Sequence, residues 1–392
     1  MWATASNVSS VTNAAHQQNV LIMPSIGSYY NPANGPITSP QEVQSMVSQI
    51  VNLVTHNNWD GITIDFENSS AYTSSGMTKA QASQQYTNFI TALGQALHAI
   101  NKKLMVAVYP SAYPHTIYNY AAIAPYVDWI NIMTYPEHNS STWPGPTAGY
   151  PWVQNLVSQA IATGVKPQQL VMGVAPYGHY WVVNNQGINA GLSNPPGYQT
   201  NRSVEAFIES KNITPVWDPI EKEITFTSGP LDVAPTESLS TANVGTYDPQ
   251  VQNLQDLLNY ILLRYAVTNG QTPPAMLVTD GYYGPATADA VTAFQQDFNV
   301  TGDPAGVYGA ATQAALEQVI QNWQIGQNVW WDETSRSFKD RLAFAIQEGL
   351  GGVASWRMPF ETQGYWTALA TETTVTHFPT EANTQGNEVQ PK

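Results

Sequence analysis

The run Asp60-Gly61-Ile62-Thr63-Ile64-Asp65-Phe66-Glu67 holds the residues best suited to chemistry. Read as a strand, its successive side chains face opposite sides. Ile62, Ile64 and Phe66 then face covering helices, and Thr63, Asp65 and Glu67 face the other way. An isolated ionised carboxylate is costly to bury. Two on one inner face raise one another's pKa, which keeps one of them protonated near neutral pH. A general acid needs that arrangement. The alternative is a structural network in which both acids pair with Lys or Arg. Only 13 basic residues in 392 are present to supply it.

The elements that must position this pair alternate along the chain. Strands are expected at 20–26, 61–67, 103–109, 129–135, 170–177 and 352–356, with amphipathic helical stretches at 40–56, 79–100, 153–163 and 335–349. Such alternation implies βαβ units and a parallel sheet. The strands are apolar until their C-terminal ends, where Asp65, Glu67, Thr134, Tyr135, Tyr177, Trp356 and Arg357 stand. Polar residues gathered at those ends are the sequence mark of a TIM (β/α)8-type active site.

At these residues the chain resembles glycosyl hydrolase family 18. Asp60 to Glu67 is similar to that family's Asp-Gly-x-x-x-Asp-x-Glu signature on the fourth strand of its barrel. Met133-Thr134-Tyr135, Gly173 to Gly178, Gly351 to Arg357 and Ser25-Ile26-Gly27 resemble further family marks in the expected order. The resemblance covers most of 15–185 and 325–370. It implies that Glu67 is the proton donor and Asp65 the carboxylate that orients the substrate acetamido group. Tyr135 would hold the acetyl oxygen, and Trp356 would floor the −1 subsite. Tyr177, Met133, Arg357 and Glu137 are further substrate-binding candidates. In this family the substrate's own acetamido oxygen attacks the anomeric carbon, outside the usual two-carboxylate scheme. Thr63 stands where many chitinases carry another Asp, and this resembles the spore cortex-lytic, peptidoglycan-acting branch. The family barrel has eight strands and six are legible here. The first two are upstream, remodelled or supplied by a partner.

A different pattern occupies the middle of the chain. Residues 180–240 read as an α+β insertion. Residues 247–320 contain an internal repeat, with Gly281, Tyr283, Gly284 and Thr287 matching Gly306, Tyr308, Gly309 and Thr312 at one fixed offset. Thr287 and Thr312 are placed to cap the helices that follow. The stretch Asp280-Gly281-Tyr282-Tyr283-Gly284-Pro285-Ala286-Thr287 resembles a peptidoglycan-binding type 1 module of three helices. A spacer that has lost ligand binding is the alternative. The expected organisation is a barrel over 1–240, a helical insertion over 241–322, a return to the barrel over 323–371 and a flexible tail over 372–392.

Composition narrows the partners. The formal net charge of −15, with no basic run, argues against nucleic acid. There are no cysteines, so disulfides and Cys-based metal sites are excluded. No cofactor or metal is expected, because His115, His138 and His179 lack a ligand spacing. Aromatic residues make up 11%, which suits either large cores or a sugar cleft. Trp143, Trp181 and Trp217 are candidate outer platforms. Asp60 is expected to serve the start of its strand. No apolar run is long enough to span a bilayer, and the first residues lack the blocks of a signal peptide. The expectation is a hydrolase of an N-acetylglucosamine-containing polysaccharide, extracellular or wall- or spore-associated. Its wall contact would run through 247–320. A chitinase and a non-catalytic glycan-binding protein are the competing readings.

Overall fold

The computed structural model describes residues 5–27, 39–67, 76–110, 116–142, 144–184, 187–188, 197–229, 231–269, 271–272, 274–326 and 328–372. Its centre is a six-stranded parallel sheet of order β1-β2-β3-β4-β5-β13. The strands are β1 (Ser25–Gly27), β2 (Gly61–Asp65), β3 (Lys103–Val108), β4 (Trp129–Ile132), β5 (Leu170–Val174) and β13 (Gly352–Ser355). After α1 (Ala5–Gln17), the crossovers carry α2 (Pro40–His56), α3 (Lys79–His98), the short α4 (Tyr120–Ile123) and α5 (Tyr150–Ala162). The described residues therefore give six parallel strands and not a closed eight-stranded barrel, with β1 and β13 outermost.

Local chemistry explains the crossovers. Ser39 and Glu42 form a capping box at the start of α2, with Pro40 in its first turn. Val43, Val47, Ile50 and Val54 recur every three or four residues and bury one face against the sheet. Thr78 and Gln81 cap α3 in the same way. That helix buries Tyr86, Phe89, Ile90 and Leu93 beside Ile62 and Ile64 of β2. Gly94 of α3 is required because a Cβ there would run into the Tyr126 carbonyl.

From 177 onward the chain leaves the parallel sheet, where an α+β insertion over 180–240 was expected. A second, antiparallel sheet of order β10-β11-β12-β6-β9 forms from β6 (Tyr177–Trp181), β9 (Tyr198–Thr200), β10 (Val216–Asp218), β11 (Glu223–Thr227) and β12 (Val329–Asp332). A small ribbon of β7 (Val183–Asn184) and β8 (Gly187–Ile188) lies between β6 and β9 in sequence. Trp330, within the 323–371 stretch expected to return to the barrel, belongs to β12. Its ring stacks on Tyr180, Phe207 and Phe226, with Phe207 coming from α6 (Asn201–Lys211). Return to the parallel sheet comes only through α10 (Ser335–Gln347) into β13, followed by α11 (Gln363–Glu372).

Between β11 and β12 run three helices, α7 (Pro249–Thr268), α8 (Pro285–Asp297) and α9 (Ala310–Trp323), which share a hydrophobic cluster. One device occurs twice among them. The Gln255 side chain accepts from Gly281 N and donates to Asp280, the Tyr282 carbonyl and Thr287. Gln295 accepts from Gly306 N and donates to the Pro304 and Val307 carbonyls and Thr312. Gly281 and Gly306 both hold positive φ, as a turn of this kind needs. Thr287 and Thr312 are therefore not helix caps. The N-cap positions are Gly284 and Gly309, and the threonine hydroxyls are spent on the buried glutamines.

Arg264 of α7 clamps these helices to the second sheet. It pairs with Asp218 at 2.9 Å and lies over the rings of Trp323 and Trp331. Nearby, Arg341 of α10 is buried between Glu223 and Glu333 and donates to the Ala148 carbonyl. Burial pushes Glu223, Glu333 and Glu221 up to about 7 each, and Arg341 offsets part of this for the first two. These groups bind protons more tightly folded than unfolded. Their contribution to stability is fully present below the ordinary value of 4.5 and is lost as pH rises through about 7. The melting temperature should therefore fall between pH 5 and pH 8. Glu221→Gln, which keeps an acceptor for Thr268, should flatten that fall in a thermal-denaturation series. A flat wild-type profile would contradict the assignment.

Candidate active site

The C-terminal end of the parallel sheet collects the chemistry. β2 lies so close to β3 that a Cβ at Gly61 would strike the Lys103 carbonyl. Ile62, Ile64 and Phe66 are buried toward the helices, and Phe66 stacks on Phe89 at 5.7 Å. Thr63, Asp65 and Glu67 take the opposite face. Thr63 is buried, whereas Asp65 and Glu67 are half-buried at the strand end. Asp60 serves the strand start, accepting from Ile22 N and meeting His16 at 2.8 Å. Burial opposes its ionisation, but these partners hold its carboxyl below the usual range.

Glu67 has a partner that the sequence did not single out. The Tyr109 hydroxyl, one residue beyond β3, donates to Glu67 Oε2 at 2.7 Å. The only hint in the sequence is a hydroxylated ring at the C-terminal end of a strand. Tyr118 donates to the Phe66 carbonyl and Tyr120 to the Tyr109 carbonyl, each at 2.6 Å.

Two strands along, Met133 and Tyr135 follow β4, both buried. Thr134 donates to the Gly173 carbonyl at 2.6 Å. Gly173 has no side chain because the Tyr135 ring occupies the space, and a Cβ would lie 2.5 Å from it. The Tyr135 ring stacks on Trp356 with centroids 6.4 Å apart and planes 26° apart. Trp356 follows β13 through a cis peptide to Arg357, its N–H donates to the Val174 carbonyl, and 36% of it is exposed. Tyr177, Tyr198 and Phe360 stand edge-on around its ring. Ser355 donates to Glu361 at 2.7 Å and ties down the loop.

Some expected site residues fall elsewhere. Tyr177 is 2% exposed, with its ring edge-on to Tyr135 and Trp356. Glu137 is turned away from the strand ends. Its Oε2 accepts from Gly149 N at the start of α5, and Glu221 lies against the same glycine. Burial, and then the Glu221 charge, push its carboxyl well above the usual range. Arg357 is exposed, with its guanidinium 4.9 Å from the Phe360 ring. Trp181 is 0% exposed in a core with Val329 and Trp331, so it is no outer platform. Trp217 is covered by Arg336 at 3.8 Å. His138 and His179 are pushed down to about 4 by burial and stand neutral. Trp143, His115 and residues 373–392 lie outside the described residues.

A parallel α/β sheet that presents two carboxylates, a tyrosine and a partly exposed tryptophan at one end is the arrangement of a glycosidase-type protein. Residues 2–361 match Glycosyl hydrolases family 18, and the chain belongs to that family. It is 29% identical over 146 residues, 35% of its length, to "Uncharacterized glycosylase YvbX" of Bacillus subtilis. It is 28% identical over 155 residues, 38% of its length, to "Putative sporulation-specific glycosylase YdhD" of the same organism. The matched stretches span 39% and 34% of those two proteins. Among solved structures, the chain is similar to the spore cortex-lytic enzyme SleL of Bacillus cereus. The TM-score is 0.59 at 15% identity, covering 95% of this chain and 64% of that one. A class V chitinase of Pseudomonas fluorescens gives 0.59 at 19% identity, covering 94% and 86%.

Gly173→Ala should drive the Tyr135 ring off Trp356 while sparing the helices that build the sheet. The expected result is a changed near-ultraviolet dichroism spectrum with an unchanged far-ultraviolet one, and a loss of about 1–3 kcal/mol in a urea melt. An unperturbed aromatic spectrum would show that the ring has room to spare.

Proposed function

We propose that the chain is a retaining glycoside hydrolase. Its substrate would be the β-1,4 bonds of an N-acetylglucosamine-containing glycan, namely bacterial peptidoglycan or spore cortex. The observation that carries this reading is the strand-end pair Asp65 and Glu67, opened to one side of the sheet whose far strands bring Tyr135 against Trp356. In this reading Glu67 gives its proton to the glycosidic oxygen and the C1–O electron pair leaves with that oxygen. The substrate's acetamido carbonyl oxygen bonds to C1, forming an oxazolinium ion. Asp65 stabilises the positive charge on the acetamido nitrogen, and the Tyr135 hydroxyl holds the acetyl oxygen in line. Glu67, now a carboxylate, takes a proton from the incoming water as the water oxygen bonds to C1, the acetamido C1–O bond breaks with its electron pair returning to the acetamido group, and configuration is retained.

A sporulation-related name among the relatives favours peptidoglycan, as does the neutral Thr63 beside Asp65. In this reading the three-helix segment is a wall contact that raises local substrate concentration, and the protein works outside the cell or on its wall. Chitin is the second reading, favoured by the chitinase-like fold neighbours. Mass spectra of digests of purified peptidoglycan and of chitin separate the two.

Glu67→Gln should lower turnover by at least about 100-fold while leaving adsorption to insoluble wall intact. Persistent hydrolysis by that variant would remove Glu67 from the role of acid. Deletion of 247–320 should weaken adsorption to walls more than cleavage of short soluble glycans. Equal loss of both would make the segment structural.

A further inference from the structure

A carboxyl that delivers a proton carries it on one oxygen, and the other oxygen is free to accept a hydrogen bond. At Glu67 the geometry distinguishes the two. A phenol has a single proton to give, and Tyr109 gives it to Oε2 at 2.7 Å. Oε2 is thereby the accepting oxygen, and Oε1 is left as the one that bears the acidic proton.

The arrangement is held from both ends. Tyr118 donates to the carbonyl of Phe66, the residue before Glu67, and Tyr120 donates to the carbonyl of Tyr109 itself, each at 2.6 Å. Tyr118 and Tyr120 are both buried, and burial lifts their phenols well above the ordinary range, so both remain donors. Phe66 is fixed on its other side by the Phe89 stack. Tyr118 and Tyr120 thus fix the backbone beside the acid and beside Tyr109, and Tyr109 supplies the hydroxyl on the acid's side chain. Tyr109 itself, like Glu67, is half-buried.

Resting on the reading of Glu67 as proton donor, we infer that Tyr109 is a positioning residue that keeps the proton on Oε1 and stabilises the carboxylate formed as that proton leaves. As the Oε1 proton moves to the glycosidic oxygen, the C1–O pair departs with that oxygen and negative charge develops on Glu67. The bond from Tyr109 changes from neutral to charge-assisted and strengthens. An interaction that is stronger in the transition state than in the ground state raises kcat and leaves binding alone. When water attacks the oxazolinium ion, Oε1 recovers a proton and the cycle closes with Tyr109 unchanged.

A brace with no part in proton delivery would matter equally for every substrate. The inferred role matters only where the leaving group needs a proton. Tyr109→Phe, which keeps the ring and removes the hydroxyl, is therefore read on two substrates. One is the β-1,4-linked N-acetylglucosamine tetrasaccharide. The other is the 2,4-dinitrophenyl β-glycoside of di-N-acetylchitobiose, whose phenolate departs without protonation. On the tetrasaccharide kcat should fall about 10- to 100-fold with KM within about twofold. First-turnover release of dinitrophenolate should fall by less than about threefold. Equal loss on both substrates, or no loss on either, overturns the inference. Glu67→Gln, assayed alongside, separates this outcome from failure of the underlying reading, because continued cleavage of the tetrasaccharide by that variant discards Glu67 as the acid and Tyr109 with it. Should Tyr109→Phe fail to fold, 3-fluorotyrosine at 109 gives the same test with a stronger donor. A changed tetrasaccharide rate beside an unchanged dinitrophenyl rate supports the role, and two unchanged rates refute it.

Discussion

The structure turns on the alternation of one short strand. β2 must satisfy two environments at once, a dry layer beneath α2 and α3 and a polar opening on the other side. Period-two geometry sorts Ile62, Ile64 and Phe66 from Thr63, Asp65 and Glu67 without any further device. A slip of one residue would bury both carboxylates among Tyr86, Phe89 and Leu93 and expose the isoleucines. The glycine that opens the strand, the capped helices on either side and the Phe66–Phe89 stack all act to hold that register.

Because the acids are fixed in this way, the remaining groups have only to arrive at the same end of the sheet. Parallel pairing delivers them, since β2, β3, β4, β5 and β13 all end on one side. Tyr109, Tyr135 and Trp356 each follow the end of their strand by one to three residues. They come from segments far apart in sequence, and it is the shared polarity of the strands, not local sequence, that assembles them.

This explains what could be read in advance. Apolar runs broken by polar ends identify β2, β4, β5 and β13 and place Asp65, Glu67, Tyr135 and Trp356. They do not identify Tyr109's bond to Glu67, because a tyrosine at a strand end looks the same whether its hydroxyl meets an acid or water. They mislead at Trp330, since an apolar aromatic strand reads alike in parallel and antiparallel sheets. Only its partners Tyr180 and Phe226 decide. Trp181, Tyr177 and Glu137 mislead for another reason. Residue type suggests an open site, but whether a ring or carboxyl is covered depends on contacts such as Trp331 or Gly149, which lie far along the chain. Thr287 and Thr312 sit where a cap would sit, and the buried glutamines forty residues apart in the chain claim their hydroxyls instead.

The Arg264 clamp has a mechanical meaning. A guanidinium enclosed by two indole rings and an aspartate cannot swing. The three helices are thus a fixed outrigger and not a bead on a string. Their surface is held at one bearing and one distance from the strand ends, so reach is exchanged for aim.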